Sequence, residues 1–206
     1  MSSPDTVKVV LLGEAGVGKT CIITKFITGN YNPDTISSLS AQFISKTLEF
    51  KDINRTIKFD IWDTAGQERF RALAKIFYKD AKVICLCYDI SNKKSFEELK
   101  NFWYSYVTSA VGKEIIFGIA GNKSDLYENE QVKVSDAQQF ANEIGAVFKE
   151  TTAKNYEAIT SLIEEMSSKY IQQSSNENKN ENENEKIVIG KSKSKNKDRC
   201  CNRRRA

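Results

Sequence analysis

The chain has 206 residues, 40% of them hydrophobic, and a formal net charge of +4. That length suits one domain of ordinary size plus a tail, and no apolar run approaches the ~18 residues of a membrane span. Residues 1–5 carry neither the basic nor the apolar stretch of a secretory leader, so none is expected. Positive charge is concentrated at the end: from Lys186 to Arg205 the single acid is Asp198, which leaves the rest slightly acidic. The folded part shows no basic face interleaved with aromatics, so nucleic acid is not an expected partner. Cys21, Cys85 and Cys87 lie in apolar segments without metal-ligand spacing, and buried reduced thiols suit a cytosolic protein.

In chain order, the β-branched run Val7–Leu12 predicts a buried strand. Gly13-Glu14-Ala15-Gly16-Val17-Gly18-Lys19-Thr20 follows, the pattern G-x-x-x-x-G-K-[ST], and then Cys21–Ile27 at helical spacing. Glycines let the backbone wrap a phosphate closely, and successive N–H groups at a helix start make an anion nest. Lys19 supplies a charge to the β- and γ-phosphates, and Thr20 a hydroxyl suited to Mg²⁺. Residues 28–41 read as a long polar loop, of the kind that is usually functional. Residues 42–50 and 55–62 alternate in polarity across Asp52-Ile53-Asn54 and predict an antiparallel strand pair.

Asp63-Thr64-Ala65-Gly66-Gln67 comes next, at a strand end. Asp63 can hold Mg²⁺ through a water, the Gly66 N–H can reach a γ-phosphate, and the Gln67 amide can orient an attacking water. A short helical stretch runs to Tyr78. Thereafter strands (82–88, 115–120, 146–148) alternate with helices (93–111, from a Ser135 cap to 144, and 156–171). That order predicts a mainly parallel sheet covered on both faces, with ligands at the strands' carboxyl ends. Residues 1–6 and the Asn/Glu-rich and basic tail from 173 are expected to be disordered.

Asn122-Lys123-Ser124-Asp125 follows the strand at 115–120. Guanine presents N1–H and N2–H₂ as adjacent donors, and one carboxylate, Asp125, can accept both; adenine has no such pair. The stem of Lys123 can lie on the base face, and Asn122 can tie this loop to the phosphate loop. In Glu150-Thr151-Thr152-Ala153-Lys154, the Ala153 N–H can donate to guanine O6.

The ordered set Gly13–Thr20, Asp63–Gln67, Asn122–Asp125 and Thr151–Lys154 resembles the Ras superfamily of small GTPases over residues 6–172. Finer stretches resemble its Rab branch: Lys58–Trp62, Arg69–Leu73, Phe77–Ala81 and Leu86–Ser91, with the Cys200-Cys201 pair. Gly13-Glu14 and Ser38–Phe43 look most like the early-endosomal members. The resemblance implies a three-layer P-loop fold: a six-stranded, mostly parallel sheet with one antiparallel strand and helices on both faces. It implies a slow GTP hydrolase that binds GTP or GDP with Mg²⁺. Residues 14–21, with Ser38, Gly66, Asn122, Lys123, Asp125, Thr152, Ala153 and Lys154, would hold the nucleotide. Thr20, Ser38 and Asp63 would hold the metal, and Gln67 would be catalytic.

Phe43, Trp62 and Tyr78 would form the exposed aromatic cluster that effector proteins read. The other implied partners are a nucleotide exchange factor, a GTPase-activating protein, a prenyl-carrier protein and an anionic membrane surface. The active form would be a monomer on the cytoplasmic face of endosomal or vesicle membranes, with a cytosolic pool. Cys200 and Cys201 would carry the lipid. Three features depart from the family pattern. Ser38 stands where Thr is usual, with Thr35 a nearby rival; Ala15 replaces Gly or Ser; and five residues trail the cysteine pair, without a simple C-a-a-X ending. Ala15 and Ser38 leave open a poorly hydrolysing, GTP-bound scaffold. A P-loop kinase or ATPase would need an acceptor site and a lid, neither visible in the sequence.

Overall fold

A computed structural model describes residues 5–31, 42–50, 55–64, 74–110 and 115–192, the last of these as backbone alone beyond 174. Its strands are β1 (Asp5–Leu12), β2 (Gln42–Phe50), β3 (Arg55–Asp63), β4 (Val83–Asp89), β5 (Ile116–Asn122) and β6 (Val147–Glu150). They form one sheet in the order β2-β3-β1-β4-β5-β6, parallel except for β2, which pairs antiparallel with β3. The expected antiparallel hairpin is therefore present, with Phe43 opposite Trp62 and Phe50 opposite Arg55. Strand order reverses at β1, and a ligand crevice opens at such a reversal.

Successive side chains of a strand point to opposite faces, and here that alternation assigns the helices. Val10, Leu12, Ile84, Leu86 and Tyr88 share a core with Tyr78, Phe96, Leu99, Trp103, Val107, Ala137 and Ala141. These come from α2 (Ala74–Tyr78), α3 (Lys93–Glu98), a π-helical turn (Leu99–Tyr104), α4 (Ser105–Ala110) and α5 (Val134–Glu143). On the opposite face Val9, Leu11, Ile61 and Cys85 close with Ile22, Ile23 and Phe26 of α1 (Lys19–Thr28) and Ile159, Leu162 and Met166 of α6 (Tyr156–Ser192) around a small apolar space. β4 is buried throughout, as a central parallel strand covered on both faces should be.

Two local expectations are corrected. The helix over 93–110 is not uniform, because it widens into the π-turn. Its start is capped by the Asn92 side chain, which accepts from the Ser95 N–H. Ser135 does not cap α5: the cap is Lys133, without a side-chain bond, and the Ser135 hydroxyl turns instead to Asp136. The backbone of α6 continues to Ser192. Residues up to Tyr170 form one compact unit and those from Ile171 another.

Candidate functional site

The carboxyl ends of β1, β3, β4, β5 and β6 bring the predicted motifs together. β1 ends at Gly13, whose φ of 149° and crowding leave room for hydrogen alone: a Cβ there would lie 2.2 Å from the Cys87 carbonyl oxygen on β4. Gly18 also has positive φ, 95°, and a Cβ on it would meet the Asn122 amide at 2.3 Å. The loop between them thus packs its backbone directly on neighbouring strands and loops, which only glycine permits.

Lys19 opens α1 and is buried. Its ammonium donates to the carbonyls of Gly13 (2.9 Å) and Glu14 (2.8 Å), so it bridges the base of the loop. Burial lowers the Lys19 pKa, while Cys87, Asp63 and Glu14 act in the opposite sense. An anionic ligand at the loop favours the charged ammonium. The hydroxyl of Thr20 donates to Asp63 Oδ2 at 2.6 Å, joining α1 to the end of β3. These are hard oxygen donors at the mouth of an anion cradle, a set that fits Mg²⁺. Thr64, next along, is buried, and its hydroxyl donates to the Leu11 carbonyl at 2.7 Å. The sequence reading gave Thr64 no role; it moors the loop after β3 to β1.

Asn122 connects the two halves of the site. It is buried at the end of β5; its Nδ2 donates to the Val17 carbonyl (2.7 Å), and its Oδ1 accepts from Thr151 Oγ1 (3.3 Å). Phosphate loop, base loop and the loop after β6 therefore share one amide. Asp125 accepts from Thr152 Oγ1 on one oxygen and from Lys154 Nζ on the other, both at 2.6 Å. Burial works to raise its pKa, but the bonds from Lys154 and Thr152 outweigh it, and the carboxyl sits below its ordinary value. Lys123 has a left-handed φ of 63°, and its ammonium pairs with Asp89 Oδ2 at 2.7 Å. Asp89, at the end of β4, is a positioning residue that sequence reasoning missed.

Of the predicted residues, the structure joins Lys19 to Glu14, Thr20 to Asp63, Val17 to Asn122, and Asp125 to Thr152 and Lys154. Ser38, Gly66, Gln67, Cys200 and Cys201 lie outside the described residues. The aromatic cluster needs correction. Phe43 is half exposed and its ring stands 5.1 Å from that of Trp62, but Tyr78 is 1% exposed and turns inward against Tyr106. Burial, then Tyr106, pushes the Tyr78 phenol up to about 12. Phe77 takes the outer place, 5.7 Å from Trp62. On a short helix adjacent residues point about 100° apart, so Tyr78 is enclosed by the core while Phe77 packs at its edge, partly buried.

A family model described as "Ras family" matches residues 8–173. The chain belongs to the Ras family. It is 40% identical over 169 residues to human Ras-related protein Rab-22A, covering 82% of this chain and 86% of the relative. It is 38% identical over 162 residues to Dictyostelium discoideum Rab-5A, covering 79% of each. Ras-related protein SEC4 of Candida albicans is 36% identical over 161 residues, 78% of this chain and 75% of that one. Within the family it is a Rab GTPase, a GTP hydrolase.

Proposed function

We propose that this Rab GTPase is a guanine-nucleotide switch of vesicle and endosomal membrane traffic, hydrolysing GTP slowly and recruiting partner proteins while GTP is bound. One observation carries the reading of the base. Asp125 presents a carboxylate whose two oxygens are oriented by Thr152 and Lys154, in a loop bonded through Asn122 to the phosphate loop. A rigid acceptor of this kind matches the N1–H and N2–H₂ edge of guanine and leaves adenine unpaired. The stem of Lys123 would lie on the base face, and the Ala153 N–H would meet O6.

The amides of residues 14–21 and the Lys19 ammonium would bind the phosphates. Mg²⁺, held by Thr20, Asp63 and Ser38, would neutralise charge on the β- and γ-phosphates. Gln67 would orient the attacking water, and the loops around 31–43 and 64–78 would order on the γ-phosphate and relax after its loss. Phe43, Trp62 and Phe77 offer the apolar surface for an effector. Exchange factor, activating protein and prenyl carrier would act on the same switch. Two prenyl groups on Cys200 and Cys201, beside the basic tail, would hold an anionic membrane more firmly than one chain can.

The test is competition. GDP bound to the full chain should resist a large excess of ADP and exchange with unlabelled GDP, and Gln67→Leu should keep binding while losing stimulated hydrolysis. Displacement by ADP would defeat the guanine reading. Unchanged stimulated turnover would remove Gln67 from the chemistry.

A further inference from the structure

Glu14 places a carboxylate inside the loop that gathers amides for an anion. Left among those amides it would repel a polyphosphate. The structure gives it another direction: Trp103 Nε1 donates to Glu14 Oε1 at 2.9 Å, across 89 residues of sequence. Trp103 is 1% exposed and belongs to the π-helical turn Leu99–Tyr104. Such a turn inserts a residue, re-aims the side chains around it, and recurs at functional positions. The indole has a single donor, and it is aimed at the phosphate loop rather than at the helix's own neighbours.

Glu14 is also joined to the loop's working parts through its backbone. Its carbonyl accepts from the Lys19 ammonium, and the Gly13 before it is pressed against the Cys87 carbonyl. Holding the side chain therefore holds the peptide whose carbonyl Lys19 grips.

We propose that Trp103 is a positioning residue for the nucleotide phosphates: its indole N–H holds the Glu14 carboxylate and so fixes the start of the phosphate loop. This rests on the guanine-nucleotide reading above. It extends the site to a helix that carries none of the nucleotide motifs.

The experiment measures release of fluorescent GDP from the full-length chain carrying Trp103→Phe, Glu14→Ala, and both changes. Phe keeps the ring's bulk and loses the donor. A lost hydrogen bond to a charged group predicts release faster by roughly 10-fold. In the Glu14→Ala background the same change should add nothing, because the carboxylate it controls is gone. The nuclear magnetic resonance signal of the Trp103 indole N–H, one of two in a chain with two tryptophans, should shift in Glu14→Ala. Should Trp103→Phe not fold, the Glu14 variants carry the test: Glu14→Gln, which retains an acceptor oxygen, should release GDP more slowly than Glu14→Leu, which has none. Wild-type release from Trp103→Phe, equal acceleration with and without Glu14, or equal rates for Gln and Leu would overturn the proposal. A wild-type chain that bound no guanine nucleotide would instead defeat the reading on which it rests.

Discussion

Replacing Asn122 by Ala tests whether one buried amide holds the site together. The side chain is 2% exposed and pairs with the Val17 carbonyl at 2.7 Å and the Thr151 hydroxyl at 3.3 Å. Thr151 is fully buried, and its own N–H is already used on the Gly121 carbonyl. Alanine would leave two buried polar groups without their partner, each worth about 1 kcal/mol or more, and a small void besides. The total is about 3 kcal/mol. For a domain of this size each kcal/mol moves the midpoint by about 2–4 °C, so thermal unfolding should fall by about 6–12 °C.

Asn122→Asp sharpens the test, because it keeps the shape and turns an oxygen toward the Val17 carbonyl in place of the donor. It should be at least as harmful as alanine. The assay is thermal unfolding followed by circular dichroism, with and without saturating GDP. The variants should also gain less from GDP than wild type, since the freed Val17 carbonyl loosens the phosphate loop and ligand stabilisation scales with the logarithm of affinity. A fall of less than about 2 °C in Asn122→Ala, or an Asp variant as stable as wild type, would refute the inferred bond and the linkage built on it.

Two further outcomes are expected. Gly13→Ala should be far more damaging than Gly16→Ala, judged by the midpoint of chemical denaturation. A Cβ at Gly13 meets a strand carbonyl at 2.2 Å, while at Gly16 it meets nothing within 4 Å and the cost is the positive φ of 78° alone, about 1–2 kcal/mol. The Asp125 contribution should depend on pH: burial opposes but the Lys154 and Thr152 bonds prevail, so its native pKa is depressed. Its stabilisation is complete above the ordinary aspartate range, about 4, and is lost as pH falls through the lower native value. Denaturation of wild type and Asp125→Asn in the absence of nucleotide should therefore converge as pH drops; a gap that stayed constant with pH would contradict this.

Much of the site could be read directly from the chain. Gly13 and Gly18 are required by close approach to neighbouring chain, and Lys19 and Thr20 are tied to the loop and to Asp63, so their identities survive translation into a linear pattern. The alternation of β2 and β3 likewise reports two faces without any knowledge of neighbours. Tyr78 and Phe77 were not distinguishable, because both are aromatic, both lie in a five-residue helix, and only the packing of Tyr106 and Trp62 decides which turns inward.

The one-dimensional string determined the glycine-rich loop and the order of strands and helices, since each depends on local backbone freedom or on a repeat of polarity. Tertiary structure alone decided that Thr64 moors to Leu11, that Lys123 leans on Asp89, and that Trp103 reaches Glu14. Those pairs are separated by tens of residues, and a hydrogen bond is specified by distance and direction in space, which no spacing along the chain records.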